Sequence, residues 1–148
     1  NANIQLTADI NCNGAIWTLG DYGGEFAGNG HTISNFTIEK SKRGSTYFCS
    51  IFNNLSNGAK ISDVSFTDVT YDLSGTQGAT ELKVAALAVS CQGKGSIEVN
   101  LSDVTIQGNI VTDYTGEITK ANEFVYDKSN NAEIIVGGNC NVNVTVNN

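Results

Sequence analysis

The chain of 148 residues has no methionine and no proline, and only one histidine and one tryptophan. Lacking an initiator methionine, it reads as one domain that has been processed or cut from something larger. Without proline, its turns rest on Gly and Asn, which tolerate positive φ. With a single histidine, any Ser-His-Asp or Cys-His site would have to be built on His31, and no nucleophile motif accompanies that residue. No run approaches the roughly 20 apolar residues of a membrane span, so direct membrane insertion is not expected. Positive charge is scarce too. Eight Lys and Arg stand against 15 Asp and Glu, giving a net charge of −7. Nucleic acid is disfavoured as a partner, because neutralising phosphates takes clustered Lys and Arg. The one basic cluster, Lys40, Lys42 and Arg43, reads as a solvated turn. The four cysteines form no CxxC and no metal-ligand spacing, and no metal or cofactor is expected.

What is abundant is Asn, Thr, Ser and Gly, the last numbering 16. That mixture suits short strands joined by tight turns, and the fold class is read as all-β. Three segments share the pattern apolar-Ser-Asn/Asp-apolar-Ser/Thr-apolar: Ile33–Ile38, Ile61–Phe66 and Leu101–Ile106. A weaker copy spans Cys140–Val146, and Ile4–Ile10 reads as a half-coil before the first. Alternation at period two turns Phe36, Val64 and Val104 inward and Asn35, Asp63 and Asp103 outward. A strand of this kind cannot bury its inner face alone, whereas stacked parallel copies can. The expected architecture is a right-handed parallel β-helix (β-solenoid) of about four to five coils, with a β-sandwich as the alternative. Further strand-like runs lie at Thr46–Phe52, Leu82–Val89 and Glu133–Val136. The polar segments 71–80 and 112–130 read as protruding loops.

The segment Phe26-Ala27-Gly28-Asn29-Gly30-His31-Thr32-Ile33-Ser34-Asn35-Phe36 resembles the GLUG-type β-helix repeats of large bacterial surface and adhesin-like proteins. Their signature reads F-x-G-x-F-D-G-N-G-H-T-I-S-N-L, preceded by a Trp-containing segment, here Ala15–Gly20, and followed by a strand matching Ala59–Val64. The resemblance covers roughly residues 4 to 70. Phe48-Cys49-Ser50-Ile51-Phe52 departs from the family's Gly-Leu-Phe-Gly strand, and Ala27 stands where the family often has Asp. The resemblance implies a structural repeat and an extracellular or cell-surface location; the non-enzymatic scaffold role is inferred from the lack of catalytic motifs.

Several residues are candidates for more than scaffolding. Asp63 and Asp103 would stack on neighbouring coils as an outward acidic column. That column is the basis of the alternative function, a polysaccharide-acting lyase or glycosidase, although the bland reading is a solvated column with no catalytic residue. Tyr71, Tyr114 and Tyr126 fall in the protruding segments, where binding residues concentrate, and a host or matrix protein or a glycan is the expected partner. An even cysteine count is compatible with disulfides and an oxidising compartment, with Cys49 and Cys91 as either a bridge or two core thiols. Asn35, Asn54, Asn100 and Asn143 head N-x-S/T sequons that would matter in a eukaryotic secreted protein.

Overall fold

The computed structural model describes residues 2–18, 20–92, 95–121 and 132–147. No helix occurs among them; the elements are thirteen strands in three sheets. Sheet A contains β1 (Ile4–Gln5), β2 (Ile10–Ile16), β4 (Glu25–Glu39), β8 (Lys60–Leu73), β11 (Gly95–Thr112) and β13 (Ala132–Asn147). Sheet B contains β3 (Asp21–Tyr22), β7 (Phe52–Ser56) and β10 (Ala88–Gln92). Sheet C contains β5 (Ser41–Arg43), β6 (Thr46–Cys49), β9 (Glu81–Ala85) and β12 (Ile118–Ala121). Every pairing is parallel except the β5–β6 hairpin, which covers one edge of sheet C. The sandwich considered above is built from antiparallel strands and does not fit these ladders.

From β4 onward the chain visits the sheets in a constant order: A, C and B from β4 to β7, then A, C and B again from β8 to β10. It then returns to A with β11 and C with β12. Each return to sheet A lays a strand beside the previous one. Parallel neighbours need a long crossover, and here the crossovers run through the other two sheets instead of through helices.

Register corrects one part of the repeat. Ile61 pairs with Leu101 and Val64 with Val104, as the second and third hexapeptides require. The first copy does not stack on them: Ile33 pairs with Phe66, and Phe36 with Val69. The segment Phe66-Thr67-Asp68-Val69-Thr70-Tyr71 is its true partner and has the same pattern with Thr67 in place of Ser, so β8 carries two copies in tandem that share Phe66. The physical reason is that the motif marks a bend. Asn35 and Asp68 occupy left-handed backbone (φ 60° and 50°) at one bend of sheet A, and Asp63 and Asp103 do so (φ 49° and 53°) at another. Asp and Asn tolerate this region better than other residues with a side chain, so the same short pattern recurs wherever the strand turns a corner.

The inward side chains meet in one core. Phe26, Phe36, Phe52 and Phe66 are buried, and Trp17 stacks on Phe36 with centroids 4.7 Å apart. Farther along the stack the core becomes aliphatic, with Leu101, Val104, Ile106 and Ile110 all buried. The runs at Thr46–Phe52 and Leu82–Val89 are each split between sheets C and B. Their corners are made by Ser50-Ile51 and Ala86-Leu87, all buried. Phe52 N–H donates to Leu87 O at 2.7 Å, tying the two corners together. No Gly or Asn signals these bends, because they are stabilised by burial of Ile51 and Leu87.

Candidate functional site

Asp63 and Asp103 lie opposite one another on β8 and β11, between the paired residues Ser62/Ser102 and Val64/Val104. The geometry of this pair serves the backbone. Both hold left-handed corners, and Asp103 is bound to the next strand. Its N–H donates to Asn139 Oδ1 at 3.0 Å, and its Oδ1 accepts from Asn139 Nδ2 at 3.3 Å. Among the described residues, no group of three or more His, Cys, Asp or Glu is arranged to hold a metal ion.

His31 also ties strands together. Its Nδ1 lies 3.1 Å from Asp9 Oδ1, which accepts the Thr32 N–H at 2.9 Å. The Thr32 N–H bond, followed by the His31 contact, holds the Asp9 carboxyl below its ordinary range.

The tyrosines separate sharply. Tyr71 is not in a loop. It sits in β8, fully buried, and its hydroxyl donates to Ala86 O at 2.7 Å; burial pushes its pKa well above the usual value. The alternating pattern of β8 continues through Leu73 and carries Tyr71 inward, so the protruding segment begins at Ser74. Tyr114 is in a loop, half-buried, and it lines an open cleft of about 720 Å³ with Thr112, Asp113, Gly116, Ile118 and Val146. Tyr126, and all of the 112–130 segment after Ala121, lie outside the described residues.

The β5–β6 turn and the loops that leave sheet A for sheet C after β8 and β11 stack into one ridge. Thr80 N–H donates to Ser45 O at 2.9 Å, and Tyr114 hydroxyl donates to Thr80 O at 3.2 Å. Thr76, fully buried, donates from its N–H to Asp113 Oδ1 at 2.9 Å, and its hydroxyl donates to Leu73 O at 2.7 Å. These bonds join residues far apart in sequence, which is why no local signal announced the ridge.

Cys49 carries a free, buried thiol whose Sγ donates to Ile38 O at 3.5 Å. It ends β6 in sheet C, whereas Cys91 lies in β10 of sheet B. Of the two alternatives weighed for Cys49, the structure contains the core thiol and not the Cys49–Cys91 bridge. Burial pushes this thiol up to about 12, and Asp72 adds a smaller push. The neutral thiol is thus the form the fold favours, a contribution kept below the ordinary thiol pKa and lost as pH rises toward 12. At pH 8 Cys49 is expected to resist iodoacetamide in the native protein and to react once urea unfolds it, read by peptide mass spectrometry. Rapid native alkylation would contradict its burial.

Of the sequon asparagines, Asn35, Asn100 and Asn143 are exposed, while Asn54 is buried with Nδ2 donating to Asp21 Oδ1 at 2.8 Å. No family model, no curated protein and no solved structure matches the chain.

Proposed function

We propose that the chain is a section of a right-handed parallel β-solenoid of the GLUG-type surface kind. In this reading it serves outside the cell as a non-enzymatic scaffold that binds a glycan or a matrix protein. The observation that carries the reading is the constant order in which the chain visits sheets A, C and B. Parallel crossovers are right-handed in nearly all proteins, which supports the hand. The signature residues also have structural work here. Phe26 and Ile33 are buried, and Asn29 and Gly30 take positive φ at a bend. In such a scaffold, binding falls to the ridge of loops and the Tyr114 cleft, since ordered loops on a rigid stack present side chains at fixed spacing.

An array of glycans and matrix proteins tests this. Binding is expected, with loss of at least about tenfold on Tyr114→Ala, or about 1.4 kcal/mol. No reducing ends should be released, and Asp63→Asn should bind like the wild type because Asn keeps the left-handed corner. Glycan cleavage abolished by Asp63→Asn would replace the scaffold with a polysaccharide-acting enzyme.

A further inference from the structure

Asn-Gly steps punctuate the chain at Asn13-Gly14, Asn29-Gly30 and Asn57-Gly58. This dipeptide carries its own chemistry. The backbone nitrogen of the glycine attacks the side-chain amide carbon of the asparagine, because no Cβ on the glycine obstructs the approach. A C–N bond forms, ammonia leaves, and a five-membered succinimide closes. Water then opens either of its carbonyls, giving aspartate or isoaspartate. One water is consumed and one ammonia released, with no change of oxidation state. The asparagine side chain must rotate onto the next nitrogen, so hydrogen bonds that hold the carboxamide or that nitrogen slow the reaction.

The fold holds the three steps differently. At Asn57-Gly58 both reacting groups are tied down: Asn57 Oδ1 accepts the Glu98 N–H at 2.8 Å, and the Gly58 N–H donates to Glu98 O at 2.8 Å. At Asn29-Gly30 the leaving nitrogen is held, with Asn29 Nδ2 donating to Leu6 O at 2.9 Å. Asn13-Gly14 lies where the β2–β4 ladder breaks. Asn11 pairs with Ser34 and Ala15 with Phe36, so Cys12, Asn13 and Gly14 stand opposite the single residue Asn35. The Asn13 N–H donates to Asn11 Oδ1 at 2.9 Å, which steadies its backbone, while its carboxamide makes no hydrogen bond among the described residues. Both residues are exposed, both hold positive φ (52° and 79°), and nothing lies within 4 Å of the missing Gly14 side chain.

We infer that Asn13 is a self-modification site: it deamidates in the folded protein through a succinimide with Gly14, while hydrogen bonds protect Asn29 and Asn57. Each event adds one carboxylate and takes the net charge from −7 to −8. The isoaspartate product also lengthens the backbone by one methylene. The bulge absorbs that length, since Asn13 has no partner in the ladder to displace. The edge of sheet A at β2 therefore grows more acidic as the molecule ages, whatever ligand the scaffold binds.

Ageing the folded protein at pH 8 tests this, with tandem mass spectrometry of its peptides by a fragmentation that separates aspartate from isoaspartate. Asn13 is expected to convert at least about tenfold faster than Asn57, whose two hydrogen bonds must break first. In urea those bonds are gone and the three rates should become similar. Asn13→Gln would need a six-membered ring, so the acidic species seen on isoelectric focusing of the aged protein should disappear in that variant. Conversion of Asn29 or Asn57 first, or equal pace at all three steps in the folded protein, would overturn the assignment. So would an Asn13 that stays intact in the folded protein and converts only in urea. An acidic species that forms undiminished in Asn13→Gln would place the main reaction elsewhere and overturn it as well.

Discussion

Replacing Phe66 with alanine is expected to lower the unfolding free energy by about 3–5 kcal/mol, the range for truncating a buried phenylalanine. Phe66 is fully buried at the meeting point of three rings. The centroids of Trp17, Phe26 and Phe36 lie 6.1, 6.2 and 6.3 Å from it, in edge, tilted and edge arrangements. It is also the residue shared by the two tandem motifs of β8, flanked by Ile33 on one strand and Ile106 on the other. Backbone pairing on both sides limits how far the neighbours can collapse, so the void stays open and its cost stays high. Val111, 40% exposed, is the control: Val111→Ala should change stability by less than about 0.5 kcal/mol. Urea denaturation of the three proteins checks both values, and a loss near that of Val111→Ala would remove Phe66 from the centre of the core.

Gly28→Ala is expected to cost about 3 kcal/mol, the upper end for overpacking, because the obstacle is backbone that cannot swing aside. A methyl group there would run into the Asp63 carbonyl and stand 2.5 Å from Val64 Cβ. The strands β4 and β8 approach this closely where the register slips between Ala27 and His31. Gly30, two residues on, differs in kind: it needs positive φ (81°), yet nothing lies within 4 Å of its missing side chain. Gly30→Asn is accordingly expected to be nearly neutral, since Asn visits the left-handed region readily. Thermal melts of the two variants separate crowding from conformation, and equal losses would leave the crowding argument without support.

Much of the architecture was legible because it follows from local chemistry. The inward positions Phe36, Val64 and Val104 are all buried, as their period-two alternation requires. The opening and closing segments, Ile4–Ile10 and Cys140–Val146, continue the ladder of sheet A. What misled was the meaning of the hexapeptide. Read as one copy per coil, it put Phe36 in the same column as Val64, although the motif recurs within a single strand. Tyr71 was misplaced for a related reason: the polar residues around it were taken for a loop, when they are the outward half of the same alternation.

The sequence alone determined the strand content, the inner and outer faces, and the left-handed corners, because each depends on neighbours two to six residues away. The tertiary structure decided which copies stack and where the buried corners at Ile51 and Leu87 fall. It also folded the basic segment Ser41–Arg43 back as a hairpin strand on the edge of sheet C. Those outcomes depend on register between strands dozens of residues apart, and register is selected by how whole layers of side chains fit.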